Sequence, residues 1–406
     1  MKEVLTMLLA GGKGERLHPL TAMESKPAVP FGGIYRIIDF TLSNCISSGI
    51  RRIFVLTQYR SHTLHRHLQL GWSFLSHYFD EFIEAVPPQQ MMGESWYRGT
   101  ADAIYQNLHL VQQYGTEDIL IVSGDHIYKM DYSLMWQIHK DRKADLTIAT
   151  IEYPIAEGSS FGIMAVDCND RVTGFQEKPK NPTPTPTNPN HCLVNMGVYL
   201  FKKEVLIDLL EKDSGKTTAH DFGKDIIPSI INTHAVYSYN FRDENNKTAK
   251  YWRDVGTMKS YFDTNMDLIS TNPELNLYDP KWPIRTLQEQ SPPPKFVFAD
   301  LREGRVGIAL DSMVAAGCII SGGRVQNCIL SPWVRVNSYA EVTRCILFHE
   351  VNIGRYSKVR NCIIDRGVVL PPRTVIGYDL EEDTKRFTVT EDGIVVVPRT
   401  WKPEPE

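Results

Sequence analysis

The chain has 406 residues, 42% hydrophobic and 23% charged, with a formal net charge of -4. That length accommodates two domains with separate cores, and an acidic balance without a long basic tract argues against a nucleic-acid partner. No apolar run reaches about 18 residues and the N-terminus lacks a leader with a cleavage site, so no membrane role is expected and the reading is cytoplasmic.

In chain order, the first predicted strand is "EVLTMLLA", residues 3–10, which runs into "GGKGERL". Gly11, Gly12 and Gly14 give G-G-x-G, which fits neither the P-loop nor the dinucleotide fingerprint. A glycine turn after a strand still lets backbone N–H groups approach an anion closely. Arg16, and Lys26 in "SKPAVPFGG", add positive charge where a triphosphate could lie. Taken alone, the pattern equally suits an ordinary turn with solvated basic residues.

Apolar runs then recur at "IRRIFVLTQ", "DILIVSGD", "ADLTIATI" and "LVNMGVYLF", interleaved with helical segments such as "ADAIYQNLHLVQQY" and "YSLMWQIHKDRK". This alternation predicts an α/β domain with a parallel-dominated sheet. In "ESWYRGTADA", Trp96 and Tyr97 stand beside Gly99 and Thr100, placed either to border a base or sugar or to fill the core. "ILIVSGDHIY" puts Gly124 and Asp125 at the end of a strand, where ligands of open α/β sheets collect, although an aspartate there also forms turns. "FQEKPKNP" supplies Glu177 and Lys178, suited to sugar hydroxyls and a monophosphate, or to an inconsequential surface pair. The proline-rich stretch 178–191 reads as an exposed loop. "KYWRDVGT" offers Asp254, and two carboxylates with water and phosphate oxygens are a usual Mg2+ environment.

After a break at 272–295 the pattern changes. "NCIL", "RCIL" and "NCII" recur every 17 residues, and apolar residues step by six: Leu330, Val336, Val342; Leu347, Ile353, Val359; Ile364, Leu370, Ile376. That period predicts short parallel strands wound into a solenoid. Cys328, Cys345 and Cys362 should then form a ladder about 4.8 Å apart. The seven cysteines include no CxxC pair, so neither a disulfide framework nor a zinc site is expected. The expected domains are 1–271, a linker 272–295, and 296–406.

The ordered set "LAGGKGERL", "SKPAVPFGG", "QQMMGESWYRGTADA", "SGDHIYKMDY", "FQEKP", "AHDFGKDIIP", "YWRDVGT" and "RVNSY" closely resembles the glucose-1-phosphate adenylyltransferases, also called ADP-glucose pyrophosphorylases, across nearly the whole chain. The resemblance implies a Rossmann-like nucleotidyltransferase domain followed by a left-handed parallel β-helix. It also implies conversion of ATP and glucose 1-phosphate to ADP-glucose and pyrophosphate for glycogen synthesis, with Mg2+ and in a homotetramer. Carried onto matching positions, Leu9, Gly11, Gly12, Gly14, Gln90, Gly99 and Thr100 would hold ATP. Arg16, Lys26 and Asp125 would be catalytic, with Asp125 and Asp254 as metal ligands. Tyr97, Gly162, Glu177, Lys178, Asn195, Asp221 and Trp252 would line the glucose 1-phosphate site.

Arg36, Arg366 and Arg399 match a regulatory pocket for a phosphorylated effector. Met23, Glu24 and Pro30, however, stand where well-known bacterial relatives are basic, so altered or reduced regulation is expected. Glu15 replaces a small or hydroxyl residue, and Asn195 a common serine. Two other readings stay open: a uridylyl- or guanylyltransferase, and a non-catalytic regulatory subunit of such an enzyme.

Overall fold

The computed structural model describes residues 1, 3–88, 96–242 and 249–403. Two compact units emerge, one of residues 1–12 and 40–252, the other of residues 13–39 and 253–406. The division expected from sequence ran in chain order, whereas the segment after the first two glycines packs with the C-terminal half. Its anchors are specific: the Gly32 N–H donates to Asn265 Oδ1 at 2.9 Å, and the Tyr261 hydroxyl donates to the Pro30 carbonyl.

The first unit is built on a nine-stranded sheet. Its strands are β1 (Val4–Ala10), β2 (Arg52–Thr57), β3 (Phe82–Val86), β4 (Asp118–Ser123), β5 (Leu146–Pro154), β6 (Gly162–Val166), β7 (Val172–Glu177), β8 (His191–Lys202) and β9 (Val236–Asn240). The order is β7-β6-β8-β4-β1-β2-β3, with β5 joining β8 to β9. β1 is parallel to both β2 and β4 and is buried on both faces, which explains its unbroken apolar run. The sheet is less parallel than the alternation predicted. β8 runs antiparallel to β4, β5 and β6, and β6 to β7. Apolar content marks a buried strand without encoding its direction. Of the predicted helices, one forms as Tyr132–Asp141, and the other divides into Thr100–Tyr105 and Leu108–Gln113. Among the described residues no helix is long and apolar enough to cross a membrane.

The second unit contains the predicted solenoid. Arg335 pairs with Asn352 and Asn352 with Val369, while Leu330, Leu347 and Ile364 pair in succession, all in parallel. The residues at the six-residue steps from Leu330 to Ile376 are buried in one core. Corners fall on residues with left-handed backbone, Asn327, Arg344 and Asn361, at φ 51°, 53° and 50°. Cys345 pairs with Cys362 in register, and the Cys345 N–H donates to Cys328 Sγ at 3.4 Å. Burial pushes the Cys328 and Cys345 thiols well above the ordinary value. These are packed thiols, as the repeat implied. The 272–295 segment is irregular yet anchored, with Leu275, Ile284 and Thr286 buried.

Candidate active site

In the first unit the site begins where β1 and β4 end side by side. Leu9 and Ser123 are in register, and the Gly124 N–H donates to the Leu9 carbonyl at 3.0 Å. Gly11 and Asp125 therefore leave the sheet from adjacent parallel strands. β1 lies between β2 and β4, so the chain diverges to both sides here, the crevice where open sheets bind ligands. A Cβ at Gly11 would lie 3.2 Å from Gln58 Cβ, while Gly12 faces open space. Ser123 Oγ donates to Asp125 Oδ1, and Thr41 Oγ1 fixes the Ser123 carbonyl at 2.9 Å.

His126 adds to this corner. Its Nε2 lies 3.6 Å from Asp125 Oδ1, and its ring packs edge-on against Trp252 with centroids 5.0 Å apart. Its Nδ1 is buried without a hydrogen-bond partner among the described residues. Sequence reasoning missed His126, although its place in "SGDH" beside a strand-end aspartate was the available signal. Trp252 is buried, wedged between His126 and Phe161. It supports the corner as packing.

A second cluster of the same unit gathers the sugar-side candidates. Gly162 and Glu177 are paired across β6 and β7. Cβ atoms at Gly162 and Gly223 would each lie 3.2 Å from Glu177 Oε2, so both glycines leave the carboxylate room. Burial raises the Glu177 carboxyl above the ordinary glutamate range; Lys178 opposes this and Asp221 reinforces it. Lys178 Nζ stands 4.0 Å from Glu177 Oε1 and is 63% exposed, reaching toward solvent. Asn195 sits at an irregularity in β8, donating to the Tyr199 hydroxyl at 2.8 Å and accepting from the Gly197 N–H at 3.0 Å.

Asp221 is engaged on both oxygens. Oδ1 accepts from the N–H groups of Gly223 and Lys224, and Oδ2 from Thr100 Oγ1 at 2.9 Å. It is first a cap for the turn that follows. Thr100 is thereby tied to Asp221, and Gly99 is required next to it, since a Cβ there would fall 2.3 Å from the Ala219 and His220 carbonyl oxygens. The Tyr97 hydroxyl accepts from Asn107 at 3.0 Å and its ring packs on the core, whereas Trp96 is exposed. Gln90 lies outside the described residues.

The remaining candidates belong to the second unit. Gly14 takes φ 64°, and a Cβ there would sit 3.0 Å from Lys26 Cβ and from Thr21 Cγ2. Thr21 Oγ1 also donates to the Gly14 carbonyl at 2.9 Å. This folds the glycine loop onto the segment carrying Lys26. Lys26 is buried, and its Nζ donates to Asp254 Oδ1 at 3.0 Å. A Cβ at Gly256 would lie 2.9 Å from both Arg16 Nη2 and Asp254 Oδ2, so the Arg16 and Asp254 tips converge over Gly256. The unexpected Glu15 is 79% exposed and pairs with Lys13 at 3.7 Å, outside this convergence.

Arg36, Arg366 and Arg399 are also brought together, around Glu24, whose side chain has no exposure. Burial lowers the Arg36 guanidinium, with Glu24 opposing. Burial likewise works against charge on Arg399, yet the Asp365 and Glu24 carboxylates hold it above the ordinary value.

The chain matches the Nucleotidyl transferase family model over residues 5–271 and the GlmU-like, C-terminal hexapeptide model over residues 292–397. It is 53% identical over 404 residues to a glucose-1-phosphate adenylyltransferase of Koribacter versatilis, covering 99% of this chain and 96% of that protein. The same-named proteins of Methylococcus capsulatus and Rhodopirellula baltica are 51% and 49% identical, each over 98% of this chain and over 93% and 90% of their own length. With both domain models matched in order and about half of the residues identical over nearly the full length of these relatives, the chain belongs to the glucose-1-phosphate adenylyltransferase family.

Proposed function

We propose that the protein transfers the adenylyl group of ATP to glucose 1-phosphate, giving ADP-glucose and pyrophosphate. The observation that carries this reading is the paired exit of Gly11 and Asp125 from β1 and β4, a glycine turn beside a carboxylate.

A phosphate monoester has its second pKa near about 6 and is largely dianionic at neutral pH. Its oxygen can therefore attack the α-phosphorus without a general base. The difficulty is electrostatic, because two anions must meet and pyrophosphate must leave with added charge. Leu9, Gly11, Gly12 and Gly14 bring backbone to the triphosphate, Arg16 and Lys26 supply charge toward the leaving group, and Gly99 and Thr100 border the nucleoside. Glu177, Asn195 and Gly162 receive the glucose ring, Tyr97 flanks it, and Lys178 meets its phosphate as a point charge. Asp221 positions Thr100, and Trp252 holds His126 against Asp125.

Asp125 and Asp254 present carboxylate oxygens, hard donors that suit Mg2+. Mg2+ held by these carboxylates would supply charge neutralisation at the phosphates. Lys26, at 3.0 Å from Asp254 Oδ1, holds that carboxylate in a single orientation.

The test is product identification. Purified protein with Mg2+, ATP and glucose 1-phosphate should yield ADP-glucose and pyrophosphate in equal amounts by mass spectrometry. ADP or inorganic phosphate in their place would refute the reading.

A further inference from the structure

Three guanidinium groups surround one carboxylate in the second unit. Arg366 Nη2 donates to both Glu24 oxygens at 2.9 Å, Arg399 Nη2 donates to Oε1 at 2.9 Å, and Arg36 Nη1 stands 3.5 Å from Oε2. Asp365, itself buried, is a second carboxylate acceptor. It takes Arg399 Nε at 2.7 Å and the Arg366 N–H at 2.7 Å. Asp39, also buried, adds its charge beside Arg36, so three cations face three carboxylates. Arg366 Nε is buried and has no acceptor among the described residues. The constellation therefore holds a buried guanidinium donor that its own acceptors leave unsatisfied.

Such a set of forks is the arrangement that recognises a tetrahedral dianion. Here the place is filled from within by a monoanion on the same chain. Glu24 lies two residues before Lys26, and Arg36 also donates to the Ala28 carbonyl two residues beyond it, so Lys26 is flanked on both sides. Whatever holds Glu24 therefore holds the backbone from which Lys26 reaches Asp254.

We propose that Glu24 is a built-in occupant of a three-arginine anion site, one that locks the 13–39 segment and orients Lys26 without any bound small anion. Removing its charge opens a site for a phosphate-class dianion. Glu24 acts as a positioning residue, since it acts on the reaction through Lys26; that part alone rests on the proposed function. The carboxylate is wholly buried, so its loss strands guanidinium charge, the change that buried ion clusters tolerate least.

The experiment uses the full chain with Glu24→Ala, Glu24→Gln and the double variant Glu24→Ala/Arg366→Ala. Inorganic phosphate is titrated at constant ionic strength, with chloride as the control. Without substrates, phosphate should raise the melting midpoint of both single variants beyond its effect on the native chain, and the double variant should lose that gain. In the rate assay both single variants should lose about tenfold in kcat, one decade of transition-state stabilisation, and millimolar phosphate should restore part of it. Should a variant fold only with phosphate present, that too supports the proposal.

Equal phosphate stabilisation of native and variant chains would overturn it, as would variants that neither fold, gain stability nor recover rate when phosphate is added. Because the melting measurement needs no substrate, it stands even if the transfer reaction is misassigned. Phosphate binding without any rate effect would overturn the positioning of Lys26 alone.

Discussion

Leu9 and Ser123 face one another at the ends of β1 and β4, and the backbone beyond Ser123 turns back so that the Gly124 N–H donates to the Leu9 carbonyl at 3.0 Å. Asp125 follows at once. Its carboxylate is therefore placed by sheet register. Asp125→Ala should lower kcat about a thousandfold, the worth of several kcal/mol of charge stabilisation. Asp125→Asn should do nearly the same and lose the dependence of rate on Mg2+ concentration. Steady-state kinetics that leave Asp125→Ala active would remove the metal assignment.

Lys178 is exposed and only 4.0 Å from Glu177, so little folding stability depends on it. Lys178→Ala should raise KM for glucose 1-phosphate about tenfold while leaving kcat and the KM for ATP nearly unchanged. A fall in kcat with unchanged KM would place the lysine elsewhere.

Gly99 is dictated by packing. A methyl group there meets two carbonyl oxygens at 2.3 Å, and backbone cannot retreat as a flexible side chain can. Gly99→Ala should cost about 1–3 kcal/mol, the usual penalty of forced overpacking. It should also raise KM for ATP by displacing Thr100. Urea unfolding alongside kinetics separates the two effects.

Buried His139 bonds to Thr147 through Nδ1 at 2.8 Å and faces Asp118 at 3.7 Å, with Lys140, Lys202 and Asp145 nearby. Burial is the dominant influence and lowers its pKa to about 4; Asp118 opposes this. The unfolded chain then takes up a proton near about 6.5, before the folded chain does. Its contribution is complete above about 6.5 and is lost as pH falls toward about 4. Denaturation midpoints measured from pH 7 to pH 4 should fall less steeply for His139→Gln than for the native chain.

Of the seven cysteines, Cys168 is exposed and the others are buried. Under native conditions a thiol reagent should label Cys168 quickly and the Cys328, Cys345 and Cys362 ladder only after denaturant is added. Fast labelling of the ladder would contradict the packed solenoid.

The solenoid was the most legible part of the fold, because a six-residue apolar step is imposed by coil geometry and admits few other structures. Its corners were not legible. Trp333, Tyr339 and Tyr356 adopt φ of 64°, 61° and 60°, and aromatic residues carry no sign of left-handed backbone. Strand direction was equally hidden, since β8 is rich in apolar residues like β1 yet runs the other way. The strand-end positions of the glycine turn and Asp125 could be read, because each follows an apolar run. The capping bonds of Asp221 carried no sequence signal, and Glu24 was visible only as a charge of unexpected sign. His126 carried no signal beyond its neighbour.

Initial rates of pyrophosphate release, measured with Mg2+, glucose 1-phosphate and each of ATP, UTP, CTP and GTP, decide whether this protein is an adenylyltransferase. Turnover with ATP at least a hundredfold above the others, about 2.7 kcal/mol of discrimination, is the predicted result. Comparable or greater turnover with UTP or GTP, or none with any nucleotide from folded protein, would contradict the assignment of this site to adenylyl transfer.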